Sequence, residues 1–413
     1  MNSDAGCTED LPTIAVVGFS ARAAAQSAKR QGFKVVAVDL CADRDLLEDC
    51  SAHYRLDNPN WPDAMASKHP TATLLLTGGM EHRTAWVDRC HSHSERFGST
   101  GVQLQSMRKL ANWAKWAAAS DLGWPKTMSV EEFESQPILS VGNSDWLVKP
   151  FQSGGGIEIG TIDFDVRNQP LNRESVYIQQ RMAGETIGVT FLSSLFGSTF
   201  IGATAAWATE SSATDRRYVY RGSYGPIPLS KNNVEKLQRF AAIAGRESGL
   251  LGVWQADFLL HEGELTLLEI NPRWSASMDL LDVGLALRLV EKHDTSVRGM
   301  VTSNALDQLA LKACEGSLQW PERTLGKLIV YAVHPLIVTK CQSDMWWSSR
   351  WTMDLPSEFN RCLFADIPTA GTSIPAGGPI LTVMNSGSAK ESVLIALETA
   401  GSAVQRSSVS HHS

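Results

Sequence analysis

Cysteine pairs are missing from this 413-residue chain. Cys7, Cys41, Cys50, Cys90, Cys314, Cys341 and Cys362 are scattered singly, odd in number and never in a Cys-x-x-Cys pair. That excludes a disulfide framework and a zinc ribbon, and reads as reduced thiols in a cytoplasmic enzyme. The run "CHSH" (Cys90, His91, His93) has no distant partners to close a tetrahedron and is better taken as a solvated helix end. No apolar stretch is long enough to cross a bilayer, so no membrane association is expected. The opening "MNSDAGCTEDLP" lacks the basic and apolar regions of a signal peptide. A net charge of −7 argues against a nucleic-acid partner. The Gly-x-Gly-x-x-Gly turn of a dinucleotide fold is absent too. Gly18 follows a strand and Asp39 ends the next, but the turn reads "GFSARAAA", where Arg22 would intrude on a pyrophosphate.

What is present is globular: 43% hydrophobic and 20% charged residues, over a length that calls for two or three domains. The first hundred residues alternate strand and helix. "TIAVVGF", "FKVVAVDL" and "TATLLLTGG" are strands. "ARAAAQSAKRQG" is a helix capped near Ser20 and stopped by Gly32, and "HRTAWVDRCHSHSERF" is helical. This alternation predicts a parallel sheet covered on both faces. Helix is expected from Leu104 to Asp121. "DWLVKPF" is a strand entering the Gly-rich "QSGGGIEIG", and "SVYIQQRMAGETIGVTFLSSLFG" reads as strand, bend, strand. "NNVEKLQRFAAIAGRESG" is an amphipathic helix ending at Gly249. The strands "VWQADFLL" and "LTLLEIN" follow, then a helix around "MDLLDVGLALRLVE". Beyond about residue 325 come short β runs with Pro/Gly turns, then the helix "AKESVLIALETAG" and a Ser-rich tail expected to be disordered.

The chemistry concentrates in "LLEINPRWS". Alternate strand residues share a face, so Glu269 and Asn271 point one way while Leu268 and Ile270 point the other. Reading "HEG" as a three-residue hairpin loop pairs Leu260 with Glu264 and brings Asp257 onto the Glu269 face. A two-residue loop would turn Asp257 away. Two carboxylates and an amide on one surface, with Arg273 just beyond, suit Mg²⁺ and an anion. In "VKPFQSGGGIEIG", Lys149 closes a strand, and Ser153, Gly154, Gly155 and Gly156 offer unobstructed backbone N–H groups that can fold over phosphates. The missing Gly-Lys-Ser/Thr excludes a P-loop. The stretch from Gln179 to Met182, including Gln180 and Arg181, followed by a bend and Glu185, would offer backbone to an adenine edge and a carboxylate to a ribose.

These three elements, in this order, resemble the ATP-grasp superfamily over residues of about 104 to 300. The resemblance implies ATP and Mg²⁺ (or Mn²⁺) as cofactors. Lys149 would meet the α- and β-phosphates, residues 153–156 would cover the triphosphate, and Gln180, Arg181 and Met182 would form the adenine hinge. Glu185 would hold the ribose, Asp257, Glu269 and Asn271 the metal, and Arg273 the transferred phosphoryl group. The family places a lysine at the start of the helix before "GxP". Here "SMRKLANWAKWAAASDLGWP" offers Arg108, Lys109 and Lys115, with Asn112 at the most regular spacing; Arg108 is preferred. The flanks "YRGSYGP" and "ADIPTAGTSIPAGGPILTV" are similar to a carboligase-like branch associated with tetrahydromethanopterin- and methanofuran-linked one-carbon metabolism. The C-terminal region resembles the closing domain of biotin carboxylase, without a Met-Lys-Met biotin site.

The resemblance implies an α/β and α+β multidomain fold. An N-terminal parallel α/β domain would span 1–103 and an ATP-grasp domain 104–324, with its lid over about 126–180. A β-rich closing domain would span 325–405 and a disordered tail 406–413. It implies a carboxylate–amine ligase acting through an acyl phosphate on small-molecule carboxylate and amine substrates, with a homodimer as an allowed assembly. Arg216, Arg217 and Arg221, and Glu81 at a strand end, are candidate substrate contacts. The alternatives are biotin-carboxylase-like carboxylation and non-catalytic ATP binding.

Overall fold

A computed structural model describes residues 12–91, 99–136, 145–152, 154–162, 173–194, 196–207, 218–292, 320, 322–352 and 361–409. The N-terminal unit runs β1 (Thr13–Val17), α1 (Arg22–Arg30), β2 (Lys34–Asp39), α2 (Arg44–Asp49), β3 (Ala52–Arg55), α3 (Trp61–Lys68), β4 (Thr73–Leu76) and α4 (Thr84–His91). Its four strands form a parallel sheet in the order β3-β2-β1-β4. The strands read as unbroken apolar runs because both faces are covered. Ile14 and Val16 pack with Ala21, Ala24 and Ala28 on one side, while Ala15 and Val17 pack with Leu56, Trp61 and Met65 on the other. Strand β3, "AHYR", escapes the sequence reading because it is a polar edge strand. The expected Ser20 cap is not used. Helix α1 starts after Ala21 with no side-chain cap, and the Asp39 carboxylate accepts the Ala21 N–H instead.

The helix expected from Leu104 to Asp121 is two helices, α5 (Gly101–Met107) and α6 (Leu110–Ala119). The break has a physical support. Asn112 Nδ2 donates to Ser106 O at 2.8 Å and Trp113 Nε1 donates to Met107 O, so side chains satisfy carbonyls that α5 leaves open. Next come β5 (Thr127–Met128), α7 (Val130–Glu134), β6 (Trp146–Pro150), β7 (Gly160–Thr161) and β8 (Val176–Gln180). The four strands form a small sheet in the order β5-β8-β6-β7 over a core of Phe133, Trp146, Val148 and Ile178.

The largest sheet holds eight strands: β9 (Glu185–Ser194), β10 (Gly197–Ala206), β11 (Gly222–Gly225), β12 (Gly252–His261), β13 (Glu264–Asn271), β14 (Thr324–Tyr331), β16 (Leu363–Ala365) and β18 (Pro379–Gly387), in the order β13-β12-β9-β10-β11-β14-β18-β16. It runs without interruption from the hairpin of interest into the C-terminal region. The short pair β15 (Leu336–Ile337) and β17 (Ser373–Ile374) lies apart. Helix α8 (Lys231–Ser248) is capped by Ser230 and ends where Gly249 turns left-handed at φ 67°, as its sequence predicts. The remaining helices are α9 (Met278–Lys292), α10 (Lys340–Trp347) and α11 (Lys390–Val409). Helix α11 carries on past residue 406, where the sequence reading placed a disordered tail. Gln342 Nε2 donates to Ser407 O at 2.9 Å, which fixes that turn against α10. Residues 410–413 lie outside the described residues. Among the described residues no helix is long and apolar enough to cross a membrane.

Candidate functional site

The β12–β13 hairpin carries the carboxylates, and its register differs from the expected one. His261 pairs with Glu264, not Leu260, and Leu260 pairs with Leu265. The loop is therefore the two residues Glu262 and Gly263, at φ 49° and 84°, the two left-handed positions of a type I′ turn. That loop alone would rotate Asp257 to the wrong face. A bulge restores it: Phe258 pairs with Leu267 but Asp257 pairs with Glu269, leaving Leu268 as the extra residue. The predicted pairing is thus wrong and the predicted shared face is right. Leu265, Leu267 and Ile270 stay in the core beneath, with Ala256 and Phe258.

On the open face the side chains meet. Asn271 Nδ2 donates to Asp257 Oδ2 and to Glu269 Oε1, each at 3.1 Å, and Gln255 Nε2 donates to Asp257 Oδ1 at 2.7 Å. The amide nitrogen lies between the two carboxylates, so a cation there requires the amide to turn and present Oδ1. Burial and then the neighbouring Glu269 push the Asp257 carboxyl up to about 7. Burial also opposes charge on Glu269, but Lys149 and Arg108 outweigh it and hold that carboxyl below its usual range. Two carboxylates confined this closely retain a proton between them unless further positive charge arrives.

Fixed cations already stand around them. Lys149, near the end of β6, is buried and donates to Gln179 Oε1 at 3.1 Å. Burial lowers its pKa, with Glu269 and Asp257 pulling the other way. Arg108, at the break between α5 and α6, donates to Ile270 O and Phe151 O at 3.0 Å each. It thereby ties the hairpin to the strand that carries Lys149. Asn112, at the regular spacing of the family lysine, is spent on the α5 terminus. Lys115 pairs with Glu247. Among the basic candidates, Arg108 is the one that reaches the hairpin.

Arg273 is fixed beyond the carboxylates. Its Nη2 donates to Asn271 Oδ1 at 3.1 Å, its Nη1 to Ser275 Oγ at 2.7 Å, and its Nε to Glu81 Oε1 at 3.0 Å. Glu81, buried at the edge of the N-terminal sheet, is thus brought to the site. Burial disfavours its charge, yet Arg273 holds the carboxyl below its ordinary value. The Gly-rich loop arrives from above. A Cβ on Gly154 would stand 4.0 Å from Arg273 Nη2, while one on Gly156 would stand 1.9 Å from Tyr218 O. Gly155 O accepts from Tyr220 N at 2.9 Å. At Gly156 only glycine permits that approach. Ser153 lies outside the described residues.

The expected hinge follows β8. Gln180 N donates to Lys126 O at 2.8 Å and Arg181 N to Asp145 O at 2.7 Å. Met182 is exposed. Glu185 opens β9 and accepts from Tyr224 Oη at 2.5 Å, and Tyr224 in turn accepts from Lys390 Nζ at 2.6 Å. Arg216 and Arg217 lie outside the described residues. Arg221 has Tyr331 and Glu398 as its ionisable neighbours, and burial lowers its pKa. The sequence reading missed Gln255, Tyr224 and Lys390, and it named Gln179 only for its backbone, not for the side chain that accepts from Lys149. Gln255 had a local signal, two residues from Asp257 on the same strand face. Lys390 had none, since it lies in another part of the chain.

Residues 111–277 match the model of the ATP-grasp domain family. No curated protein matches it in sequence. Among solved structures, the biotin carboxylase domain of Hydrogenobacter thermophilus 2-oxoglutarate carboxylase, in complex with MgADP, ADP and bicarbonate, is similar at a TM-score of 0.65 and 13% identity, over 95% of this chain and 90% of that one. L-amino acid ligase from Bacillus licheniformis is similar at a TM-score of 0.65 and 14% identity, over 95% and 97%. Carboxyaminoimidazole ribonucleotide synthase from Aspergillus clavatus, complexed with ATP, is similar at a TM-score of 0.65 and 13% identity, over 96% and 99%. At such identities the likeness is one of fold.

Proposed function

We propose that the protein is a Mg²⁺- and ATP-dependent ligase that joins a small carboxylic acid to an amine through an acyl phosphate. The observation that carries this reading is one face: Asp257, Glu269 and Asn271 within hydrogen-bonding reach of each other, with Lys149, Arg108 and Arg273 around them. The donor set fits a hard divalent cation, which takes one or two carboxylates and completes its shell from phosphate and water. Asp257, Glu269 and Asn271 would hold Mg²⁺, and the ion when bound would neutralise charge on phosphate oxygens. Lys149 is a buried point charge for the phosphate chain, and Arg108 supports it from the purine side. Arg273 is held by three neighbouring side chains and presents a preorganised cation where charge develops during phosphoryl transfer. The loop 153–156 excludes water, which would otherwise hydrolyse the acyl phosphate. With the N–H groups of Gln180 and Arg181 spent on Lys126 and Asp145, the hinge over Gln180, Arg181 and Met182 would meet the adenine through carbonyls and the Met182 N–H, and Glu185 would offer a carboxylate to the ribose.

Three relatives in fold support the class. One is an amino acid ligase, and the carboxylase domain and the ribonucleotide synthase were solved with MgADP and with ATP. The flanking motifs quoted above favour an amine from one-carbon cofactor assembly, linked to tetrahydromethanopterin or methanofuran. Glu81 and Arg221 are the described candidates for substrate contact, with action in the cytoplasm and, by analogy with the carboxylase domain dimer, a homodimer. The test is release of ADP from ATP in the presence of Mg²⁺ across pairs of carboxylates and amines, pterin and furan precursors included. Turnover that needs both an acid and an amine is the expected result. Turnover with bicarbonate and biotin alone would assign carboxylation instead. ATP binding with no turnover in any arm would make the protein a nucleotide-binding module.

A further inference from the structure

A second acidic centre, made of other residues than the β12–β13 face, lies at the carboxyl end of β2. Asp39 ends that strand and Asp43 precedes α2, with Cys41 between them. One donor atom from each of Asp39, Cys41 and Asp43 lies within 4.8 Å of the others. Two donors on one ion, at bonds of about 2.3 Å or less, can stand no more than about 4.6 Å apart. The trio therefore needs only a small closure to share a cation.

The carboxylates are not alike. Asp39 accepts from Ala42 N at 2.9 Å and faces His53 Nε2 at 2.8 Å, so the strand end and its neighbour hold it in place. Asp45 accepts from the N–H groups of Asp366 and Ile367, and Asp366 accepts from Arg22 and Thr382. Asp43 stands apart. Only 6% of its surface is exposed, and its Oδ2 has no hydrogen-bond partner among the described residues. Asp39, Asp45 and Asp366 surround it, with Arg22 the nearby cation. A buried carboxylate oxygen with no donor is costly, and burial with its acidic neighbours pushes the Asp43 carboxyl well up, so the position calls for a proton or a cation. A parallel sheet offers ligand sites at this end of its strands. The turn also lacks a bare pyrophosphate cradle, which leaves a small cation as the fitting occupant.

We propose that Asp39, Cys41 and Asp43 form a site for a borderline divalent transition metal such as Zn²⁺, separate from the Mg²⁺-ATP face. The thiol selects the ion. Hard Mg²⁺ takes oxygen donors, whereas zinc takes sulfur together with carboxylate. Cys41 Sγ now donates weakly to Phe19 O at 3.5 Å. On binding, its proton leaves to solvent and the thiolate becomes the ligand. His53 stands behind Asp39, as an outer-shell imidazole does behind a ligating carboxylate.

The test is a titration of the full-length, chelator-stripped protein with Co²⁺ alone. One equivalent should produce a thiolate-to-cobalt charge-transfer band in the near ultraviolet, and equimolar Zn²⁺ should remove it. Cys41→Ser should abolish the band. Asp43→Asn should weaken cobalt binding by about tenfold or more, while the metal-free variant melts no lower than the wild type because the amide has no charge to bury. Glu269→Gln should leave the band intact, which separates this site from the nucleotide face. The proposal is overturned if the wild type shows no band, or if the band survives Cys41→Ser. It is overturned too if Asp43→Asn binds cobalt as the wild type does. Thermal stabilisation by a primary amine, without any cobalt band, would give the pocket to an ammonium group and would equally overturn it.

Discussion

Arg273 shows how a single residue is made into a fixed charge. Its guanidinium donates to Glu81, Asn271 and Ser275 at 2.7–3.1 Å, so the fork stays planar and aimed. A lysine has no fork and would keep the charge without the aim. Arg273→Lys should therefore lower ATP turnover about a hundredfold or more, with an unchanged circular dichroism spectrum; turnover near the wild-type rate would remove Arg273 from the chemistry. Glu269→Gln should abolish Mg²⁺-dependent ADP release while the fold survives, measured with the same two methods. Normal turnover at saturating Mg²⁺ would end the metal assignment. At this scale the sequence was informative where charge and spacing were local. The Glu-x-Asn-Pro-Arg run announced Glu269, Asn271 and Arg273 because all three lie within five positions of one strand end. The contact of Glu81 with Arg273 and the path from Lys390 through Tyr224 to Glu185 were not legible. Each is made by packing between distant parts of the chain, and no periodicity marks it.

The hairpin argues the same point for elements. Both strands were legible from their alternating apolar residues, but the register hung on two backbone details: a left-handed Glu262 and an extra Leu268. Each shifts the side-chain parity by one, and together they cancel. A sequence states the pattern of apolar residues; it does not state where the ladder slips. Gly263, at φ 84° with open space around its missing side chain, tests backbone strain alone. Gly263→Val should lower stability by about 1–2 kcal/mol, read in a urea melt, and an unchanged melt would contradict the turn. The Gly-rich loop makes a second test. Gly156 approaches Tyr218 too closely for any larger residue, while Gly154 lies in ordinary contact distance of Arg273. Hydrogen exchange over residues 150–160 should slow when Mg-ATP is added, since phosphate contacts form only then; unchanged protection would count against the loop as a cover. The break between α5 and α6 was also hidden. Asn112 and Trp113 satisfy the open carbonyls by tertiary geometry, and that break is what frees Arg108 to reach Ile270 and Phe151.

At the scale of the whole molecule, buried charges join the N-terminal sheet to the rest. Arg22 of α1 donates to Asp279 of α9 at 3.1 Å and to Asp366 at 2.9 Å, and Lys327 of β14 donates to Asp279 at 3.1 Å. Burial disfavours the charged form of Asp279, but Arg22 and Lys327 outweigh it and hold the carboxyl well below the usual range. The unfolded carboxyl takes up a proton near pH 4, and the native one resists it. This stabilisation is therefore present at neutral pH and is lost as the pH falls through that value and below. Asp279→Asn should cost about 3–5 kcal/mol at pH 7 and should flatten the loss of thermal stability in acid. An equally steep acid limb in the variant would contradict the linkage. The same joined architecture sets the carboxylate face of the large sheet against Lys149 on one side and Glu81 on the other. The decisive measurement is calorimetric binding of a non-hydrolysable ATP analogue to the full chain, with and without Mg²⁺, in the wild type and in the double variant Asp257→Asn, Glu269→Gln. The wild type should bind the nucleotide much more tightly with Mg²⁺ than without, and the folded double variant should lose that difference. Equal Mg²⁺ dependence in the two proteins would show that the ion is held elsewhere and would contradict the site.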